Sequence, residues 1–292
     1  MEFIKVDRSL GELRVRGRIE ASEDSRRLLE ILQAGPASLD GPEIDVLVHG
    51  DHRAALQGDA ERRKKKIENL QRGLEKRYVF RVTTPHGARI LKLSEPKNVG
   101  RKLQGVVASA AREEHGHQLK AQHLGVAASQ SLGYLELRQG LRLIRSLQVQ
   151  EPLSRDLIDL GSLFAQQMEK DSQDAARNLG RSLARMHRIP FFHADLKPFH
   201  AFVEPGALAK DLGSYPLRWL DLGRVSFYMT PRKRIINLYQ TFRFVLPNEP
   251  MLQDALIQAY VSEAGWHERR AESLGKKVRR FLNYKLRTHP HP

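Results

Sequence analysis

The chain has 292 residues, 49 Lys and Arg against 34 Asp and Glu, a formal net charge of +15 and no cysteine. Without Cys there are no disulfides and no thiolate metal site, which fits a reducing cytosol. No apolar run reaches the roughly 20 residues that span a bilayer, and the start, Met1 to Asp7, carries acids instead of a secretory apolar core. A charge this positive attracts polyanions: nucleic acid, anionic lipid headgroups, or phosphorylated and carboxylated sugars.

In residues 1 to 60, Glu12 to Ile19 alternates like a half-exposed strand. Ser22 to Ser25, followed by Leu28, Leu29, Ile31 and Leu32, predicts a capped amphipathic helix closed by Gly35-Pro36. Ile44 to Val48 predicts a second strand. None of this carries chemistry, and the segment reads as an extension packed on the lobe that follows. Arg62 to Lys66 is a basic run, a solvated face or an anion-binding patch. Tyr78 to Thr84 and Ala88 to Leu93 predict a hairpin turning at Pro85 to Gly87, with Lys92 ending its apolar second strand.

Ala108 to Leu124 predicts a helix stopped by Gly125 and bearing Glu113 and Glu114. Its His115, His117 and His123 do not share one face, which argues against a zinc site. Ser131 to Arg138 and Leu141 to Ser146 predict two strands around Gln139-Gly140. Leu147 to Pro152 loses the alternation and reads as a connector. Ser154 to Leu160 predicts a short helix. Asp174 to His187 predicts a longer one, with Leu179, Leu183 and Met186 facing a core.

The chemistry lies in two short stretches. His193-Ala194-Asp195-Leu196-Lys197-Pro198-Phe199-His200 places a carboxylate in a polar loop after the apolar pair Phe191-Phe192, with Lys197 two positions on and His200 five. Trp219-Leu220-Asp221-Leu222-Gly223 places a second carboxylate after an apolar run and before a glycine. Phosphoryl transfer to a hydroxyl needs such parts: one carboxylate to orient the hydroxyl and take its proton, a cation to offset charge on the moving group, and a second carboxylate for Mg²⁺. Pro231 to Arg234 then leads into a helix with Ile235, Leu238, Tyr239 and Phe242. Met251 to Glu263 and His267 to Leu286 predict two more helices. The last is basic and amphipathic, which suits either a core-facing helix with a solvated basic side or a helix resting on an anionic membrane.

The first stretch resembles the protein-kinase catalytic loop H-R-D-L-K-P-x-N, with Ala194 for the Arg and His200 for the metal-binding Asn; the second resembles D-F-G. No Gly-rich loop precedes the hairpin, Gly73 being the one glycine at the expected place. No long segment ending in A-P-E follows Asp221, so the part that docks a polypeptide substrate in protein kinases is missing. With Lys92 in Ile-Leu-Lys-Leu, the Arg112-Glu113-Glu114 helix, the His193-Ala194-Asp195-Leu196 loop with His200, and Leu220 to Val225, the chain resembles the bacterial lipopolysaccharide kinase family from about Tyr78 to Gly265. These kinase-fold enzymes phosphorylate heptose or Kdo sugars of the inner core.

The resemblance implies an α+β, bilobal protein-kinase-like fold with a small antiparallel-sheet N-lobe and a mainly helical C-lobe. The expected division is an extension at 1–60, an N-lobe at 61–148 and a C-lobe at 149–292. It also implies an alcohol-phosphorylating kinase using ATP and Mg²⁺, with Asp195 as base, Lys197 as phosphate-contacting cation, Asp221 as Mg²⁺ ligand and His200 as a second metal ligand. Lys92 would hold the nucleotide phosphates. Its partner would be Glu114, chosen by spacing to Leu119 and Gly125, with Glu113 the alternative. The acceptor would be the anionic lipopolysaccharide core glycan, reached in the cytoplasm at the inner face of the inner membrane, with peripheral contact to that anionic surface. Two competing readings are an atypical protein kinase of the RIO type, which would use the basic surface on RNA, and a membrane-bound pseudokinase scaffold.

Overall fold

The computed structural model describes residues 2–21, 25–35, 44–47, 77–84, 87–96, 108–154, 156–165, 169–204, 217–244, 246 and 249–288. The basic run at 62–66, Gly73 and the turn at 85–86 lie outside the described residues. The chain divides into two compact units, 1–119 with 129–152, and 120–128 with 153–292.

The first unit is built on a seven-stranded antiparallel sheet. Its strands are β1 (Phe3–Leu10), β2 (Leu13–Glu20), β3 (Ile44–Leu47), β4 (Arg77–Thr84), β5 (Gly87–Ser94), β6 (Ser131–Gln139) and β7 (Arg142–Gln150), in the order β1-β2-β6-β7-β5-β4-β3. Helices α1 (Ser25–Ala34) and α2 (Ala110–His123) accompany it. Alternation makes β2: Val15, Gly17 and Ile19 are buried while Arg14, Arg16 and Arg18 face water. Leu28, Leu29, Ile31 and Leu32 of α1 join Val15, Ile19, Leu135 and Leu147 in one core. Residues 3–20 are thus two strands of the main sheet. β1 carries Lys5, Asp7 and Arg8 among its apolar residues, all exposed, and buries Val6, which hides it from a periodicity reading.

β7 runs on to Gln150, through residues that read as a connector. Every residue from Ser146 to Gln150 is buried, so both faces of this stretch are covered and no polar alternation exists to detect.

The second unit is mainly helical: α3 (Leu160–Ala165), α4 (Glu169–Arg188), α5 (Pro231–Phe244), α6 (Pro250–Glu263) and α7 (Arg269–Thr288). The short helix expected over 154–160 instead starts at Leu160. Asp159 accepts from Ser162 at both N–H (2.8 Å) and Oγ (2.6 Å), which caps the helix there and leaves Ile158–Asp159 as strand β8. Two small sheets complete the unit. One has the order β11 (Arg218–Trp219), β10 (Ala201–Val203), β8; the other pairs β12 (Val225–Ser226) with β9 (Phe192–His193). One face of α7 seats Val278, Leu274 and Phe281 on the unit's core, and Phe281 meets Tyr239 edge to face at 5.1 Å.

α4 and α6 pack closely because α4 has no side chain at Gly180. A Cβ there would stand 2.3 Å from the carbonyl oxygen of Leu256. Helix propensity alone favours alanine over glycine by about 1 kcal/mol, but a backbone clash in a packed helix pair costs more, about 1–3 kcal/mol. Gly180→Ala is therefore expected to lower the thermal midpoint by at least about 2 °C, read by calorimetry; an unchanged or raised midpoint would show that the helices separate without cost.

Candidate active site

In the first unit, Lys92 lies on β5 between Val79 of β4 and Gln148 of β7. Its neighbours Leu91 and Leu93 are core residues, so alternation sends the lysine to the opposite face. There its Nζ meets Glu114 Oε1 of α2 at 2.5 Å. Gln150 at the end of β7 donates to the same oxygen at 3.2 Å. Of the two candidate acids, Glu114 is buried against the lysine and Glu113 is exposed. The helix is fixed at its start. Ser109 Oγ accepts from the Arg112 N–H at 3.1 Å, and the Ser109 N–H donates to Glu136, which a buried Arg138 holds at 2.9 Å. Gly125, at φ 76, closes the helix with its N–H on the Gln122 carbonyl.

In the second unit the two motif stretches are knitted together. β9 pairs with β12, Val225 opposite His193, and β10 pairs with β11, Ala201 opposite Trp219. The Ala194 N–H donates to the Arg224 carbonyl at 2.7 Å, and the Leu220 N–H to the His200 carbonyl at 2.8 Å. Two buried imidazoles act on the peptide of Asp195. His193 donates from Nε2 to the Leu220 carbonyl (3.1 Å) and accepts the Asp195 N–H on Nδ1 (3.3 Å). His200 donates from Nδ1 to the Asp195 carbonyl (2.8 Å). Burial holds both rings below the ordinary imidazole range, so each is neutral at pH 7. Lys197 Nζ stands 3.1 Å from Asp195 Oδ2, a half-exposed pair within the loop.

Asp221 is the one non-glycine residue with positive φ among the described residues, at φ 55, ψ 61. Aspartate tolerates this left-handed region better than most residues. The turn delivers Oδ2 to 3.9 Å from His200 Nε2. Because His200 is neutral with its proton on Nδ1, this contact is no ion pair: it sets an imidazole lone pair beside a carboxylate. Such a donor set fits a divalent cation. Among the described residues no group of three or more His, Asp or Glu stands close enough to cage a metal. Mg²⁺ in general takes one or two carboxylates and completes its shell with water and phosphate oxygens. Imidazole is softer than the oxygen donors Mg²⁺ prefers, so the carboxylate is the stronger anchor.

A side-chain network missed at the sequence level holds the loop from below. Asn237 on α5 donates from Nδ2 to the His193 carbonyl and to Gln240 Oε1 (3.0 Å). Gln240, one turn on, donates to the Ala194 carbonyl at 2.6 Å. Asn237 Oδ1 accepts from His187 Nε2 at 3.0 Å, and His187 Nδ1 accepts from the Tyr260 hydroxyl at 3.0 Å. Burial keeps His187 neutral, with a pKa of about 4, and pushes Tyr260 up to about 12. The sequence signal was an Asn and a Gln three apart on an otherwise apolar and basic helix. Thr230 caps that helix through the Lys233 N–H, with Pro231 at its first position.

The structure thus brings Lys92 to Glu114 within one unit, and gathers Asp195, Lys197, His200 and Asp221 within the other. The profile of the Lipopolysaccharide kinase (Kdo/WaaP) family matches residues 106–260. Among solved structures, the chain is similar to WaaP in complex with acyl carrier protein: 20% identity, 78% of this chain and 98% of that one covered, TM-score 0.46. It is also similar to the bifunctional kinase-methyltransferase WbdD: 20% identity, 70% and 42% covered, TM-score 0.41. No curated protein matches the sequence. The protein is a kinase, a phosphotransferase with an alcohol group as acceptor. The family profile spans more than half of the chain, which belongs to the lipopolysaccharide kinase (Kdo/WaaP) family.

Two outcomes follow, one from the buried network and one from two buried imidazoles, His187 in that network and His115, which is hydrogen-bonded to Ser131 in the first unit. Gln240→Glu replaces a donor by an acceptor at the Ala194 carbonyl on a partly exposed side chain. Turnover should fall about 10- to 100-fold while the nucleotide KM stays within about twofold; steady-state kinetics decide, and unchanged kcat would remove Gln240 from loop positioning. The second concerns acid. His187 and His115 titrate near 6.5 when unfolded and about 4 when folded. Between those pH values the unfolded chain binds more protons, so stability present above pH 6.5 is lost as pH falls toward 4. Thermal midpoints should decline through that window, and His187→Gln should flatten the decline while lowering the midpoint at pH 7.5.

Proposed function

We propose that the protein transfers the γ-phosphate of ATP, with Mg²⁺, to a hydroxyl of a heptose or Kdo sugar in the lipopolysaccharide inner core. The observation that carries this reading is the gathering of Asp195, Lys197, His200 and Asp221 by two short sheets, in a member of this family. Residues 61–148 would form the nucleotide-binding lobe, with 1–60 as an extension of it, and 149–292 the acceptor-binding lobe.

Asp195 would orient the sugar hydroxyl and take its proton on a carboxylate oxygen. Its aim is supported by the two imidazoles that bond its peptide from either side. Lys197 would offset charge on the transferred phosphoryl group. Asp221 and His200 would hold Mg²⁺, which when bound neutralises charge on the nucleotide phosphates. Lys92, kept in place by Glu114 and Gln150, would bind those phosphates. The net charge of +15 supports an anionic acceptor, and the outer face of α7, with Lys277, Arg280 and Arg287, supports peripheral contact with an anionic membrane surface. No helix among the described residues is long and apolar enough to cross a membrane.

The test is transfer of labelled γ-phosphate to purified lipopolysaccharide core, beside a generic protein substrate. Label should appear on the glycan. Asp195→Ala should abolish it with nucleotide affinity largely intact, and Asp221→Asn should weaken Mg²⁺-dependent nucleotide binding at least tenfold. Label on protein alone, or full activity in Asp195→Ala, would sink the assignment.

A further inference from the structure

Helix α4 carries four arginines, and three of them are engaged. Arg177 binds Asp174 at 2.7 Å, while Arg185 and Arg188 bind Glu263 at 3.1 and 3.0 Å. Arg181 has no partner among the described residues. It faces a cavity of ≈ 480 Å³, open mouth included, in the second unit. Asn178 and Ser182 line the same cavity, three residues before and one after, on one helical stripe. Neither side chain has a hydrogen-bond partner among the described residues, although Asn178 is only 6% exposed. Its amide is not sealed from water, so it stands open to the cavity that it lines. Met186 continues the same stripe with an apolar side chain, and Leu217, Trp219 and residues 125–127 complete the lining.

We infer that this cavity is a second ligand site, which takes a small phosphate monoester. The guanidinium, the amide and the hydroxyl are three donor groups on successive positions of one helix face. Together they suit the three terminal oxygens of a phosphate ester, and the guanidinium supplies the charge-assisted bonds. The apolar part of the lining suits the compact carbon body attached to it. Trp219 lies two residues before Asp221, but none of the residues assigned to the transfer chemistry lines the cavity.

The test is calorimetric titration of the full chain, saturated with a non-hydrolysable ATP analogue and Mg²⁺ so that nucleotide-phosphate contacts are already filled. Glucose 6-phosphate, inorganic phosphate, gluconate and glucose are compared at constant ionic strength. Glucose 6-phosphate should bind one per chain, phosphate more weakly, and glucose not at all. Arg181→Gln and Asn178→Leu should each weaken binding at least tenfold, and Arg177→Gln should not. Arg181 is partly exposed and unpaired, so Arg181→Gln should melt with the wild type, which guards against a folding artefact at Asn178. No binding to the wild type, equal binding of gluconate, or binding untouched by Arg181→Gln would overturn the assignment. The readout is binding, so it stands or falls apart from glycan phosphorylation, which Asp195→Ala tests separately.

Discussion

Two neutral imidazoles in opposite tautomers hold the peptide of Asp195, and much of the second unit is arranged to keep them so. His193 spends its proton on Leu220 and keeps a lone pair for the Asp195 N–H; His200 spends its proton on the Asp195 carbonyl and keeps its lone pair toward Asp221. Each ring therefore joins the two carboxylate-bearing stretches. Protonation of His193 would set a second N–H against the Asp195 N–H, and protonation of His200 would replace the lone pair that faces Asp221. Burial opposes this, because a charged imidazole loses more hydration than its neighbours return.

Beneath this arrangement runs a buried polar chain from Tyr260 through His187 and Asn237 to the His193 carbonyl, crossing α6, α4 and α5. Asn237 uses its one accepting oxygen and both of its amide hydrogens. A fully satisfied network of this kind fixes one geometry, since losing any member strands the others without water. The first unit uses the same device with charge. Glu136, paired with Arg138, takes the Ser109 N–H at the start of α2, and the helix then carries Glu114 to Lys92. Removing one partner of such a pair leaves a buried charge, far costlier than losing a surface pair.

The sequence was most legible where one face of an element meets water. β2 alternates, α4 repeats its leucines, and Gly125 ends α2, and all three could be read directly. The end of β7 could not, since a strand covered on both faces has no polar phase. β1 could not either, as a charged edge strand. Within the site, Asp195 and Asp221 stood out by motif, but Asn237 and Gln240 did not. Their bonds go to backbone carbonyls, and a backbone partner leaves no trace in side-chain identity. The start of α3 turned on one carboxylate, Asp159, whose capping bonds outweighed the preceding polar run.

The left-handed backbone at residue 221 makes that position doubly determined. Glycine and asparagine fit the turn and lose the negative charge; glutamate keeps the charge and lacks the short side chain that makes the conformation tolerable. Fold and electrostatics each admit a small set of residues, and the sets overlap at aspartate alone. A library of substitutions here would split into two populations: folded proteins that have lost the carboxylate, and proteins strained at the turn whatever charge they carry. The same position thus separates what the backbone admits from the charge that it carries, within one residue.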